Sequence, residues 1–136
     1  MNRMIEYDQA SDEVRAVYDD IMHTRNVDWI SNFWKTIASH PPTLRRTWDS
    51  LKEIMADGAL DVRTKEMVYL AISANNGCDY CIASHSVSAR RAGMTDEMFG
   101  ELMAVVGMAN ETNRLAAGYE VRVDAAFMTS DPQDGS

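Results

Sequence analysis

Cys78 and Cys81 stand three residues apart in the stretch Asn76-Gly-Cys-Asp-Tyr-Cys-Ile-Ala-Ser-His85, and the imidazole follows four residues after the second sulfur. On a helix that spacing stacks all three side chains on neighbouring turns of one face, so the thiols can close a disulfide with little backbone movement. The chemistry on offer is that of a thiolate. A free cysteine with a pKa of about 8.5 is mostly protonated at neutral pH, so something must draw the proton away. Two features can do so, both expected to act near Cys81: the positive end of the helix dipole after Gly77, and His85 as a base and then an imidazolium partner.

A histidine in that role needs a group that sets its tautomer and steadies its charge. Glu66 is the best candidate, on the preceding helix, in a stripe with Tyr69, Leu70 and Ser73. It opens the apolar run Met67 to Ile72, where a buried carboxylate requires a compensating donor. Its plainer role is that of a half-exposed residue paired with Arg63 or Lys65.

The elements that must position these residues read as helices. Periodicity and punctuation divide the chain into about seven helical segments, with no convincing alternating strand, so an all-α class is expected. A first helix near Asp8 to Thr24 places Val14, Val17, Tyr18 and Ile21 inward. A second, Ser31 to Ser39, ends before Pro41-Pro42, which open a third running to about Ala56. Trp29, Phe33, Trp34 and Trp48 are expected in the core or at a subunit contact. Asp61 should cap a central, buried fourth helix that ends at Gly77, and the fifth should start close to Cys78 and end at Gly93. Thr95 and Asn110 should cap a sixth and a seventh, with Leu115, Tyr119, Val123 and Phe127 on the last. The polar tail 129–136 is expected to fray.

At 136 residues the chain matches the usual size of one domain, so residues 1–136 are expected to share one core with the motif in 60–95. A core of that size needs no disulfide staple, which leaves the cysteines available for chemistry. The formal net charge of −8 repels a phosphate backbone, and the pairs Arg45-Arg46 and Arg90-Arg91 are too small a basic patch to offset it, so no nucleic-acid partner is expected. The first residues lack the apolar run of a signal peptide, and no segment approaches a membrane span. A cytoplasmic protein in a reducing compartment is the expectation, where a close cysteine pair more often means catalysis or metal than bracing. The ten methionines read as adaptable core filling.

The order Glu66, eleven residues, Cys78-Asp-Tyr-Cys81, three residues, His85 resembles the signature of the AhpD-like alkylhydroperoxidase and carboxymuconolactone decarboxylase superfamily. The phrase from Lys65 through Cys81, its continuation into Ala83-Ser-His-Ser and Ala92-Gly-Met, and the upstream Asn32-Phe-Trp-Lys and His40-Pro extend the likeness over about residues 30 to 125. The resemblance implies an AhpD-like bundle with Cys81 as attacking thiol, Cys78 as resolving thiol, and Glu66 with His85 as a proton relay through water. The position of His85, four residues after Cys81, favours the same attacking sulfur. Some members carry histidine between the cysteines, where this chain has Tyr80, for which packing is the expectation. The family also implies assembly into trimers or hexamers.

The expected reaction is therefore attack of Cys81 on a hydroperoxide or another small electrophile, closure of a disulfide with Cys78, and resetting by an unidentified external dithiol. No flavin or nicotinamide fingerprint is present, so no bound organic cofactor is expected. Three alternatives stand beside this one. A carboxymuconolactone decarboxylase-like activity would use acid-base chemistry, though such members generally lack the cysteine pair. Zinc held by Cys78, Cys81 and His85 would lack an obvious fourth ligand. A non-catalytic helical module would merely retain the motif.

Overall fold

The computed structural model describes residues 3–128, and the expected fraying of 129–136 falls outside them. The described chain is helical and divides between Ala59 and Leu60 into two compact units. Six α-helices form: α1 (Asp12–Arg25), α2 (Asn32–Ile37) and α3 (Pro41–Ile54) in the first unit, α4 (Val62–Asn76), α5 (Asp79–Arg91) and α6 (Asp96–Gly118) in the second. Short 3-10 turns cover Tyr7–Gln9 and Ala125–Phe127.

In the first unit Ser11 caps α1 by accepting the Val14 N–H, and Val14, Val17, Tyr18 and Ile21 are buried, the stripe that the spacing predicts. Pro41 and Pro42 open α3, where the missing N–H groups cost nothing, and His40 Nδ1 accepts from Thr43 N at 3.3 Å. Helices α2 and α3 pack through Trp34 and Trp48, buried edge to face at 5.5 Å, with Arg25 of α1 over both rings. Trp48 Nε1 donates to Asp20 at 2.6 Å, and this bond, ahead of the Lys52 ammonium, holds the Asp20 carboxyl below the ordinary range. Of the four aromatics expected in the core or at a subunit contact, Trp34 and Trp48 are buried in this chain, and Trp29 and Phe33 are exposed on it.

Two expectations for the second unit need correction. The sixth and seventh helices are one: α6 runs unbroken through Asn110, whose side chain donates to the Val106 carbonyl one turn back, so it does not cap a new start. Val123 and Phe127 therefore lie beyond the helix and are exposed. The second correction is that α4 is not buried all round. Within its unit only α5 and α6 pack on it, so Leu70 and Ser73 are buried while Val68 and Ile72 face outward. Buried apolar residues among those described form two clusters, one per unit, and the second comprises Leu70, Ala89 and Met94 with half-buried neighbours from α4, α5 and α6.

Candidate active site

The site is built on the α4–α5 hairpin. Asp61 caps α4 by accepting the Thr64 N–H at 2.7 Å, and Gly77 ends the helix at φ 66°, a left-handed value that glycine adopts without a Cβ clash. The next residue is fastened at both ends. Cys78 N–H donates to the Ser73 carbonyl at 3.0 Å, closing α4, while Cys78 Sγ accepts the Cys81 N–H at 3.3 Å and so caps α5. One cysteine thus occupies the capping position usually held by serine or aspartate.

That arrangement distributes charge differently from the expectation. The sulfur facing the positive end of α5 is Cys78, not Cys81. The Cys81 thiol is pushed up to about 11, first by its hydrogen bond to Cys78, then by burial and by the charge on Cys78. The two cysteines are free thiols and half-buried, and the raised thiol is that of Cys81.

One turn further along α5, His85 Nδ1 meets Glu66 Oε2 at 2.6 Å, with side chains only 11% and 12% exposed. The carboxylate therefore has its compensating donor in His85. With Nδ1 donating to Glu66, Nε2 is left as the ring's basic nitrogen. The structure joins the predicted residues as two pairs, Glu66 with His85 and Cys78 with Cys81, on consecutive turns of one hairpin. Spacing arguments missed Tyr69, whose ring stacks on the His85 imidazole with centroids 3.6 Å apart and planes 19° from parallel. Its position three residues after Glu66 on α4 was the available signal. Tyr80 is 43% exposed beside the thiols. Among the described residues no three His, Cys, Asp or Glu side chains converge as metal ligands, so the zinc alternative gains no support from their placement.

Arg45, Arg46, Arg90 and Arg91 are all exposed, and no described helix is long and apolar enough to cross a membrane.

Comparison with known proteins places this geometry. The Carboxymuconolactone decarboxylase family matches residues 41–122. The crystal structure of an alkylhydroperoxidase AhpD core from Rhodospirillum rubrum superposes with a TM-score of 0.84 at 42% identity, covering 89% of this chain and 95% of that one. "Uncharacterized protein 4 in cox locus" of Paracoccus denitrificans is 36% identical over 85 residues, 62% of this chain and 72% of that protein. The alkyl hydroperoxide reductase AhpD of Maricaulis maris is 35% identical over 83 residues, 61% of this chain but only 43% of that protein. With more than half of its length matched and an AhpD core as its structural counterpart, the chain belongs to the carboxymuconolactone decarboxylase family and has the AhpD-like fold.

Proposed function

We propose that the protein is a thiol-dependent peroxidase in which Cys81 attacks the hydroperoxide and Cys78 resolves the product. The observation that carries this reading is the 2.6 Å Glu66–His85 pair, shielded from water and one helical turn from a reduced dithiol. The names of the alkyl hydroperoxide reductase of Maricaulis maris and of the alkylhydroperoxidase core of Rhodospirillum rubrum support the same class.

Because the Cys81 thiol is pushed up to about 11, it is protonated at neutral pH and attack requires a base. His85, steadied by Glu66, takes that proton through solvent. The thiolate sulfur then attacks the distal peroxide oxygen, the O–O bond breaks, and the proton returns to the departing alkoxide as alcohol. Cys81 is left as a sulfenic acid. Cys78 attacks its sulfur, releasing water and forming the disulfide, and an external dithiol restores both thiols by exchange. Cys78 suits the second step, because its sulfur already contacts Cys81 in the reduced state.

Mass spectrometry after one equivalent of an organic hydroperoxide tests the assignment. Wild-type protein should form a Cys78–Cys81 disulfide, Cys78→Ser should stop at a trapped sulfenic acid on Cys81, and Cys81→Ser should lose dithiothreitol-driven turnover. Equal residual turnover in both variants would contradict the roles. Acid-base chemistry of the decarboxylase type needs neither sulfur, so activity on a lactone surviving Cys81→Ser would replace this reading.

A further inference from the structure

We propose that Tyr69 is a positioning residue of the dithiol site, its ring face holding the His85 imidazole in the plane that the bond to Glu66 requires. The proposal rests on the reading of His85 as the base for thiol chemistry. A single hydrogen bond at Nδ1 constrains one edge of the ring and leaves rotation about that contact free. The Tyr69 face, 3.6 Å away and nearly parallel, removes the rotation. Both constraints come from α4, three residues apart and therefore one above the other on the same helix face, so one rigid element sets the edge and the plane together.

The placement is also tied to the sulfurs. Ser73 Oγ donates to the Tyr69 carbonyl at 2.8 Å, and the Ser73 carbonyl accepts the Cys78 N–H at 3.0 Å. Tyr69, Ser73 and Cys78 are thus linked through successive turns, and the distance from the ring to the dithiol is set by backbone. Electrostatics add to geometry. Once His85 has taken a proton, its charge lies over a π face in a setting with little water, and the ring quadrupole attracts it there. Glu66 and Tyr69 from α4 contact the imidazole, and Cys81 of α5, with Cys78 at its N-cap, lies one turn before it.

The experiment uses the full chain carrying Cys78→Ser, so that Cys81 is the sole thiol, and follows its alkylation by iodoacetamide at neutral pH. Adding Tyr69→Phe, which keeps the ring face, should leave the rate unchanged. Adding Tyr69→Leu, which keeps an apolar side chain but has no π face, should slow it by about two- to fivefold, the factor that a cation–π contact carries. Equal rates for Leu and Tyr would overturn the proposal, as would a Phe variant as slow as the Leu one. A measurement on the unaltered protein guards against misfolding of variants: ring-current shielding should move the His85 ring protons upfield of those of His23 and His40, and unshifted His85 protons would overturn it too. Absence of peroxidase turnover with the Leu and Phe variants still different would refute the peroxidase reading and leave the role of Tyr69 standing.

Discussion

At the scale of single residues, the two pairs on the α4–α5 hairpin have separable duties. Glu66→Gln keeps shape and a hydrogen-bonding oxygen but removes the charge that stabilises an imidazolium, so peroxide turnover should fall by about a hundredfold or more, measured with dithiothreitol as reductant. Turnover within a few-fold of wild type would remove Glu66 from the relay. The Cys81 thiol titrates separately. Pushed up to about 11, it is neutral below that value, and its thiolate fraction grows about tenfold per pH unit on the way there. Iodoacetamide labelling of Cys81, located by peptide mapping of the reduced protein, should therefore climb steadily between pH 7 and pH 10. A plateau below pH 9 would mean that Cys78 does not hold the Cys81 proton. The pairing of Glu66 with His85 was legible in the sequence because an imidazole base and a carboxylate preceding an apolar run each need the other. The Tyr69 stack was not, because an aromatic residue on a helical stripe reads equally well as core.

At the scale of elements, capping chemistry decides where helices begin, and it separates Thr95 from Asn110. Thr95 Oγ1 accepts the Met98 N–H at 3.1 Å at the start of α6, whereas Asn110 lies inside that helix. Thr95→Ala should cost about 1 kcal/mol in urea unfolding. Asn110→Ala should be neutral or stabilise by about half a kcal/mol, because alanine is the better helix former and no cap is lost. A loss at Asn110 equal to that at Thr95 would restore the two separate helices that the residue types predict. Asparagine is a strong cap former, so residue type alone marks a start; the carbonyl of Val106 within reach of its side chain is a fact of the continuous helix.

At the scale of the whole molecule, the distribution of apolar surface points to self-association. No residue of α6 is fully buried, and Val105, Met108, Leu115 and Tyr119 are each at least half exposed. We propose that these apolar side chains are covered by a second copy of the chain, as exposed apolar patches of this kind often are. The expected outcome is a homo-oligomer, consistent with the trimers or hexamers that the family resemblance implies, and light scattering coupled to size exclusion would measure it. Leu115→Glu and Val105→Glu together should shift the particle toward the monomer mass. A wild-type protein already monomeric at micromolar concentration would refute this expectation.

Composition, capping residues and the spacing Glu66…Cys78-x-x-Cys81…His85 were enough to determine the all-helical class, most helix starts and the four candidate reactive groups, because each depends on local backbone chemistry or on neighbours along a helix. Which sulfur faces the dipole, which ring covers His85 and which face of α4 stays open were decided only by the folded hairpin. Those outcomes depend on how two helices meet, on a difference of one turn or one side of a cylinder, and the pattern of residue types is nearly the same for either choice.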